Sequence, residues 1–352
     1  MELIKNYNLN ELKNIIKSFG FEQYRAEQIY RYIFINRLTD FFSMNLIPAK
    51  LRELLNSEFQ LSSFINYLSS YSKDGTIKFL FVLKDGFKIE TVLIPENDSN
   101  DSGKKRITLC ISTQIGCNYD CEFCATGKLR FVRNLNVSEI IDQLFFAEQI
   151  SGKKITNIVF MGMGEPLLNY ENLTKSISML TDEKYKIIGS QRITVSTVGI
   201  VPQILQLCEF KPKVKLALSL HFTNDNQRKT YIPAAKKWNL DSITEAIRYY
   251  YYITKIPVTI EYIVFNSINT TNADVDFLFK LSKSIAMKVN LIQYNSINIV
   301  SNKTDRKLEK ASEKEILEFQ KKLVNNGIKT FIRHSSGSDI DAACGQLALK
   351  YK

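Results

Sequence analysis

Ile107-Thr108-Leu109-Cys110-Ile111-Ser112-Thr113-Gln114-Ile115-Gly116-Cys117-Asn118-Tyr119-Asp120-Cys121-Glu122-Phe123-Cys124 begins as a β-rich apolar run, turns at a glycine and ends on a crowd of cysteines. A strand that delivers such a loop, with a helix following, is the first unit of a rhythm that continues to the end of the chain. Short β-rich runs recur at 155–160, 193–197, 214–220, 258–265 and 289–294. Helical patterns follow each run, at 137–150, 171–181, 200–209, 242–253, 272–285 and 313–326, the first opened by Asn136 with Glu139 as a capping pair. Six strand–helix units in series predict an α/β fold of parallel strands with right-handed crossovers, either an open sheet or a partial (β/α)6 barrel. In both, the functional groups gather on the loops at the carboxyl ends of the strands.

Upstream the rhythm differs. Leu9 to Ile16 and Ala26 to Phe34 space apolar residues at three and four, as amphipathic helices do. Two β-rich runs, 77–83 and 88–94, flank Asp85-Gly86, a two-residue hairpin signal. The polar run from Glu96 to Lys105 reads as a linker. The expected division is a helical accessory domain at 1–72, a hairpin and linker at 73–106, and the partial barrel with a C-terminal cysteine loop at 107–352.

The chain has 352 residues, 45% hydrophobic and 24% charged, the balance of a globular protein rather than a disordered one. Its first residues carry Glu2 and lack the apolar core of a secretory signal, and nowhere do about 18 uninterrupted apolar residues occur. A cytoplasmic protein without a membrane span is expected. Lys and Arg number 47 against 36 Asp and Glu, a net charge of +11 that favours a polyanionic partner. Lys104-Lys105-Arg106 and the basic residues of the accessory domain are candidates for phosphate contacts.

Six cysteines stand at 110, 117, 121, 124, 208 and 344. Cys117, Cys121 and Cys124 have the spacing C-x3-C-x2-C, so three thiolates lie on one curled loop. Zinc ordinarily takes four protein ligands, often as paired knuckles, and no second knuckle exists here. Three thiolates instead suit a [4Fe-4S] cubane whose fourth iron stays open. An open iron admits the amino and carboxylate groups of S-adenosylmethionine, whose carbon–sulfur bond then breaks on electron transfer. Cys208 reads as a small buried hydrophobe.

The C-x3-C-x2-C motif, with Phe123 before its last cysteine, resembles that of the radical S-adenosylmethionine superfamily, whose fold is a partial (β/α)6 barrel. More specific are the Thr108 to Cys117 stretch, Phe160-Met161-Gly162-Met163-Gly164-Glu165-Pro166-Leu167-Leu168-Asn169, and Ile340-Asp341-Ala342-Ala343-Cys344-Gly345-Gln346-Leu347. These resemble the RlmN family, dual-specificity methyltransferases acting on adenine C2 of 23S ribosomal RNA and of transfer RNA next to the anticodon. The likeness runs from Tyr24 to the C-terminus.

That resemblance implies roles. Gly164, Glu165, Ser196, Ser219, Leu220, His221 and Asn295 match positions that contact S-adenosylmethionine. Cys344 matches the cysteine that carries a methyl group, Cys110 its resolving partner through a transient disulfide, and Glu90 the proton acceptor, with Cys110 a rival base. Two S-adenosylmethionine molecules are used: one methylates Cys344, and the radical from the other activates that methyl for addition to C2. The resemblance also implies a small electron donor such as flavodoxin or ferredoxin, and a monomer. The chain departs from the family pattern at Arg130, at Asn266-Ser267-Ile268-Asn269 and at Ser336. Two rivals are a C8 adenine methyltransferase of the Cfr type, which shares the five cysteines, and a non-catalytic iron–sulfur protein that binds RNA.

Overall fold

The computed structural model describes residues 1–96, 106–297 and 308–347. Lys104 and Lys105 lie outside the described residues.

Helices α1 (Leu9–Ser18), α2 (Tyr24–Phe34) and α3 (Ala49–Glu58) form the N-terminal unit, with β1 (Glu2–Leu3) paired to β2 (Phe59–Gln60). The Asn8 side chain caps α1 and Glu11 reaches back to it, a capping box worth about 1 kcal/mol. The inward stripe of Leu12, Ile16, Ala26, Ile29, Ile33, Leu51 and Leu55 is fully buried. This unit is docked on the rest of the chain. Lys5 and Asp142 pair at 2.9 Å, both buried, and the Arg37 guanidinium lies 3.3 Å from the centre of the Phe145 ring.

A single sheet follows. Antiparallel β3 (Phe64–Tyr71), β4 (Ile77–Leu83) and β5 (Lys88–Glu96) run into β6 (Arg106–Cys110). The helical segment expected up to residue 72 is therefore shorter. Phe64–Tyr71 is a strand whose mostly exposed residues belong to a sheet edge, and its lack of a buried face is why it carries no clean alternation.

Beyond β6 come β7 (Gln114–Ile115), α4 (Ala125–Lys128), β8 (Arg133–Asn134), α5 (Val137–Ser151), β9 (Asn157–Phe160), α6 (Tyr170–Thr181), β10 (Ile193–Thr197), α7 (Val201–Glu209) and β11 (Lys215–Ser219). Then follow α8 (Asp225–Tyr231), α9 (Leu240–Thr254), β12 (Val258–Val264), α10 (Asn272–Ser284), β13 (Met287–Gln293), α11 (Glu313–Asn325) and β14 (Thr330–Arg333). The strands β6, β9, β10, β11, β12, β13 and β14 are parallel neighbours in that order. This is the expected partial barrel, its six strand–helix units closed by one more short strand. The Asn136–Glu139 capping box opens α5 as its sequence predicts. Strands of the parallel part are covered on both faces, so β12 is buried at every residue. Glu261 stands in the middle of that apolar strand.

Candidate active site

A cavity of about 190 Å³ opens at the carboxyl ends of the parallel strands. Its wall brings together Cys117, Cys121 and Cys124 with Gly164 and Glu165, Ser196, Ser219 and His221, Cys110 and Cys344. All six cysteines are free thiols, Cys110 and Cys344 among them.

The cysteine loop is bent by its own backbone. Gly116 has φ +71°, and a Cβ there would stand 2.1 Å from the Arg130 carbonyl oxygen. Cys117 then pairs with Arg130 in a β-bridge, and Cys124 N–H donates to the Cys121 carbonyl at 3.1 Å. The Arg130 side chain is exposed and is not part of the cavity wall. Lys128 ties the loop together through Asp120 at 2.6 Å and Glu122 at 3.4 Å. The departure at Asn266 to Asn269 is likewise absorbed locally. The buried Asn269 amide donates to the carbonyls of His221 and Ile263, both at 2.7 Å.

Burial pushes the Cys117 thiol up to about 12, holds Cys121 well above the ordinary thiol range and raises Cys124. Such thiols stay protonated unless a bound cation draws the sulfurs into the thiolate form. Among the described residues no three His, Cys, Asp or Glu side chains are set to hold a single ion. Three thiols around a shared space are a donor set for a centre of several irons, so the residues fit a cluster.

Glu165 is the pole of the opposite wall. Its Oε1 accepts from Leu167 N–H at 3.0 Å and its Oε2 from Val198 N–H at 2.9 Å. Burial nevertheless outweighs those donors and raises its carboxyl to about 7. A buried carboxylate in that condition is suited to an ammonium ligand, which restores its charge. Gly164 has φ +96°, and a Cβ there would meet the Gln114 side chain at 2.5 Å. Ser196 and Ser219 hydroxyls face each other at 3.3 Å.

His221 is held neutral, since burial and then Arg228 lower it to about 3. Its Nδ1 accepts from Ile263 N–H at 3.2 Å, so the ring proton sits on Nε2. Leu220 is fully buried and is not part of the cavity wall. Asn295 is also outside that wall; its side-chain amide donates to the Cys344 carbonyl at 3.4 Å.

Cys110 ends β6, between Val92 on β5 and Val159 on β9. Burial and then the neighbouring Cys344 push its thiol up to about 12. Cys344 is exposed toward the cavity, yet the enclosing walls withdraw it from bulk water and raise its thiol to about 11. Glu90 stands apart. Fully buried on β5, it is not on the cavity wall and pairs with Lys78 Nζ at 3.2 Å.

Sequence reasoning missed three charged residues here. Glu261 lines the cavity; its Oε1 accepts from Asn290 at 2.9 Å, and its Oε2 faces the Arg333 guanidinium at 3.7 Å. Arg228 is wholly buried and donates to the carbonyls of Val198 at 2.5 Å and Leu220 at 3.2 Å. Lys78 is the third. A lone charge inside an apolar strand, as in Ile77-Lys78-Phe79 and Ile260-Glu261-Tyr262, was the available signal.

Comparison with known proteins points the same way. A family model described as the radical SAM superfamily matches residues 111–278, and one described as the ribosomal RNA large subunit methyltransferase N-terminal domain matches residues 3–61. The probable dual-specificity RNA methyltransferase RlmN of Thermotoga neapolitana is 43% identical over 354 residues, covering 100% of this chain and 99% of that protein. That of Cytophaga hutchinsonii is 41% identical, covering 99% and 93%. A radical SAM methyltransferase from Sphaerobacter thermophilus, known from its crystal structure, superposes with a TM-score of 0.90 at 35% identity over 99% of both chains.

Proposed function

Since this chain belongs to the RlmN family of radical SAM methyltransferases, we propose that it methylates C2 of adenine in 23S ribosomal RNA and in transfer RNA with Cys344 as the carbon carrier. The family implies a [4Fe-4S] cluster and S-adenosylmethionine. The observation that carries the reading is one cavity wall holding both the three-thiol loop and the separate pair Cys110 and Cys344.

Cys117, Cys121 and Cys124 would hold the cluster. Glu165, beside Gly164, takes the ammonium of S-adenosylmethionine, while Ser196, Ser219, His221 and the nearby Asn295 orient the rest of it. When bound, cluster and S-adenosylmethionine together supply an electron and a carbon radical. The Cys344 sulfur, its thiol proton lost, attacks the methyl carbon of one S-adenosylmethionine, forming the S–CH3 bond and breaking the sulfonium S–CH3 bond so that S-adenosylhomocysteine leaves. Joining that carbon to C2 breaks one C–H bond of the S-methyl group, whose hydrogen goes to the carbon radical, and the C2–H bond, whose proton goes to a base. A thiolate at Cys110 then attacks the Cys344 sulfur, closing a disulfide as the carbon–sulfur bond breaks; the carbon stays on adenine, takes up a proton to become the methyl group, and one electron is given back. Glu90, buried in its pair with Lys78, and Cys110, on the cavity wall, are the two candidate bases for the C2 proton.

A one-electron donor of the flavodoxin or ferredoxin kind, a monomeric state and a cytoplasmic location complete the proposal. Among the described residues no helix is long and apolar enough to cross a membrane. The test is Cys344→Ala, loaded with cluster under anaerobic conditions. Cluster absorbance should persist and methylation of RNA should vanish; normal methylation would remove the carrier mechanism. Chromatographic separation of 2-methyladenosine from 8-methyladenosine in the product decides the position on the ring.

A further inference from the structure

The loop that carries Cys344 is fastened at its two ends to different parts of the chain. At its exit, Ala125 N–H donates to the Gly345 carbonyl at 2.7 Å and the Thr126 hydroxyl to the Leu347 carbonyl at 2.7 Å. This anchor lies directly after the cluster cysteines.

At its entry the loop meets the β3–β4 turn. Gly337 N–H donates to Asp74 Oδ2 at 2.9 Å. The Ser72 hydroxyl donates to Asp339 Oδ1 at 2.6 Å, and Lys73 N–H to Asp339 Oδ2 at 3.2 Å. Lys78 Nζ donates to the Asp341 carbonyl at 3.4 Å. The turn is rigid in its own right, because Asp74 Oδ1 accepts from Thr76 N–H and Ser72 N–H donates to the Thr76 carbonyl, both at 2.9 Å. The loop is equally compact, with Ala342 N–H donating to the Gly337 carbonyl at 2.9 Å. Two carboxylates, one from each side, thus knit two preformed turns together. Hydrogen bonds to ionised groups are roughly twice as strong as neutral ones.

We propose that the β3–β4 turn is a clasp on the sulfur-bearing loop, in which Asp74 and Asp339 are positioning residues that fix where Cys344 stands. The need is chemical. Cys344 must meet a methyl donor, an adenine carbon and the Cys110 sulfur in succession, and misplacement by about 1 Å can cost two orders of magnitude in rate. The clasp rests on the carrier role proposed for Cys344, yet its mechanical part is measurable without that role.

The experiment uses the full chain, cluster-loaded and kept anaerobic, with Asp74→Ala and Asp339→Ala beside Asp74→Asn and Asp339→Asn, which keep an acceptor oxygen. Amide hydrogen exchange over 337–343, iodoacetamide labelling of Cys344 relative to buried Cys208, and methyl transfer to RNA are compared. The alanine variants should speed exchange over 337–343 and labelling of Cys344 by about tenfold. Exchange over 125–128 should stay unchanged, methyl transfer should fall, and the asparagine variants should recover most of both properties. Unchanged exchange, acceleration spread evenly over the barrel, or undiminished methyl transfer from a loosened loop would each overturn the clasp. Retained methylation by Cys344→Ala would instead sink the carrier reading, whatever the exchange data give.

Discussion

Replacing Lys78 by methionine would remove the ammonium that is paired with the buried Glu90 carboxylate. Lys78 is 4% and Glu90 0% exposed at the side chain, and their charged atoms are 3.2 Å apart. Removing one member of such a buried pair costs about 3–5 kcal/mol, because the remaining charge keeps its desolvation penalty and loses the attraction that offset it. Loss of the 3.4 Å bond from Lys78 to the Asp341 carbonyl adds about 1 kcal/mol. The double variant Lys78→Met with Glu90→Gln removes both charges and should return to within about 2 kcal/mol of the parent. Urea denaturation of the four members of this cycle, followed by circular dichroism, gives the coupling between the two residues. Additive effects, or a cost below about 1 kcal/mol for Lys78→Met alone, would refute the view that the pair is buried and coupled.

Two further outcomes follow from the same geometry. Gly116→Ala drives a Cβ into the Arg130 carbonyl, so the cysteine loop must deform and iron and sulfide bound per chain, measured after anaerobic loading, should drop sharply. Cys208→Ala removes a buried sulfur on α7 that donates to the Ile204 carbonyl of its own helix; it should cost about 1 kcal/mol in denaturation while RNA methylation stays at the parent level.

Much of the fold is written plainly in the sequence because its parallel strands are short apolar runs separated by helices with clear periodicity and caps. Ile193–Thr197 needs no tertiary information, and neither does α5, whose Asn136 and Glu139 announce its start. Phe64–Tyr71 and Thr330–Arg333 are harder, since each lies at an edge of the sheet; the first exposes residues on both faces and the second is only four residues long. At the site, the three-cysteine spacing is local and therefore legible. The meeting of Cys110 with Cys344 depends on the chain closing over 234 residues, which here was reached through family likeness and not from spacing. Lys78 and Glu261 escape because their significance comes from burial, a property that a charged residue in a strand pattern contradicts until the surrounding layers are in place.

The join between the β3–β4 turn and the 337–341 segment links residues up to 267 positions apart. A growing polypeptide still attached to the ribosome can assemble most of these strands in order, but it cannot shut this chamber until residues 337–347 have emerged. Iron and sulfide delivered during synthesis would therefore find an open vessel, and Cys344 would join its wall afterwards.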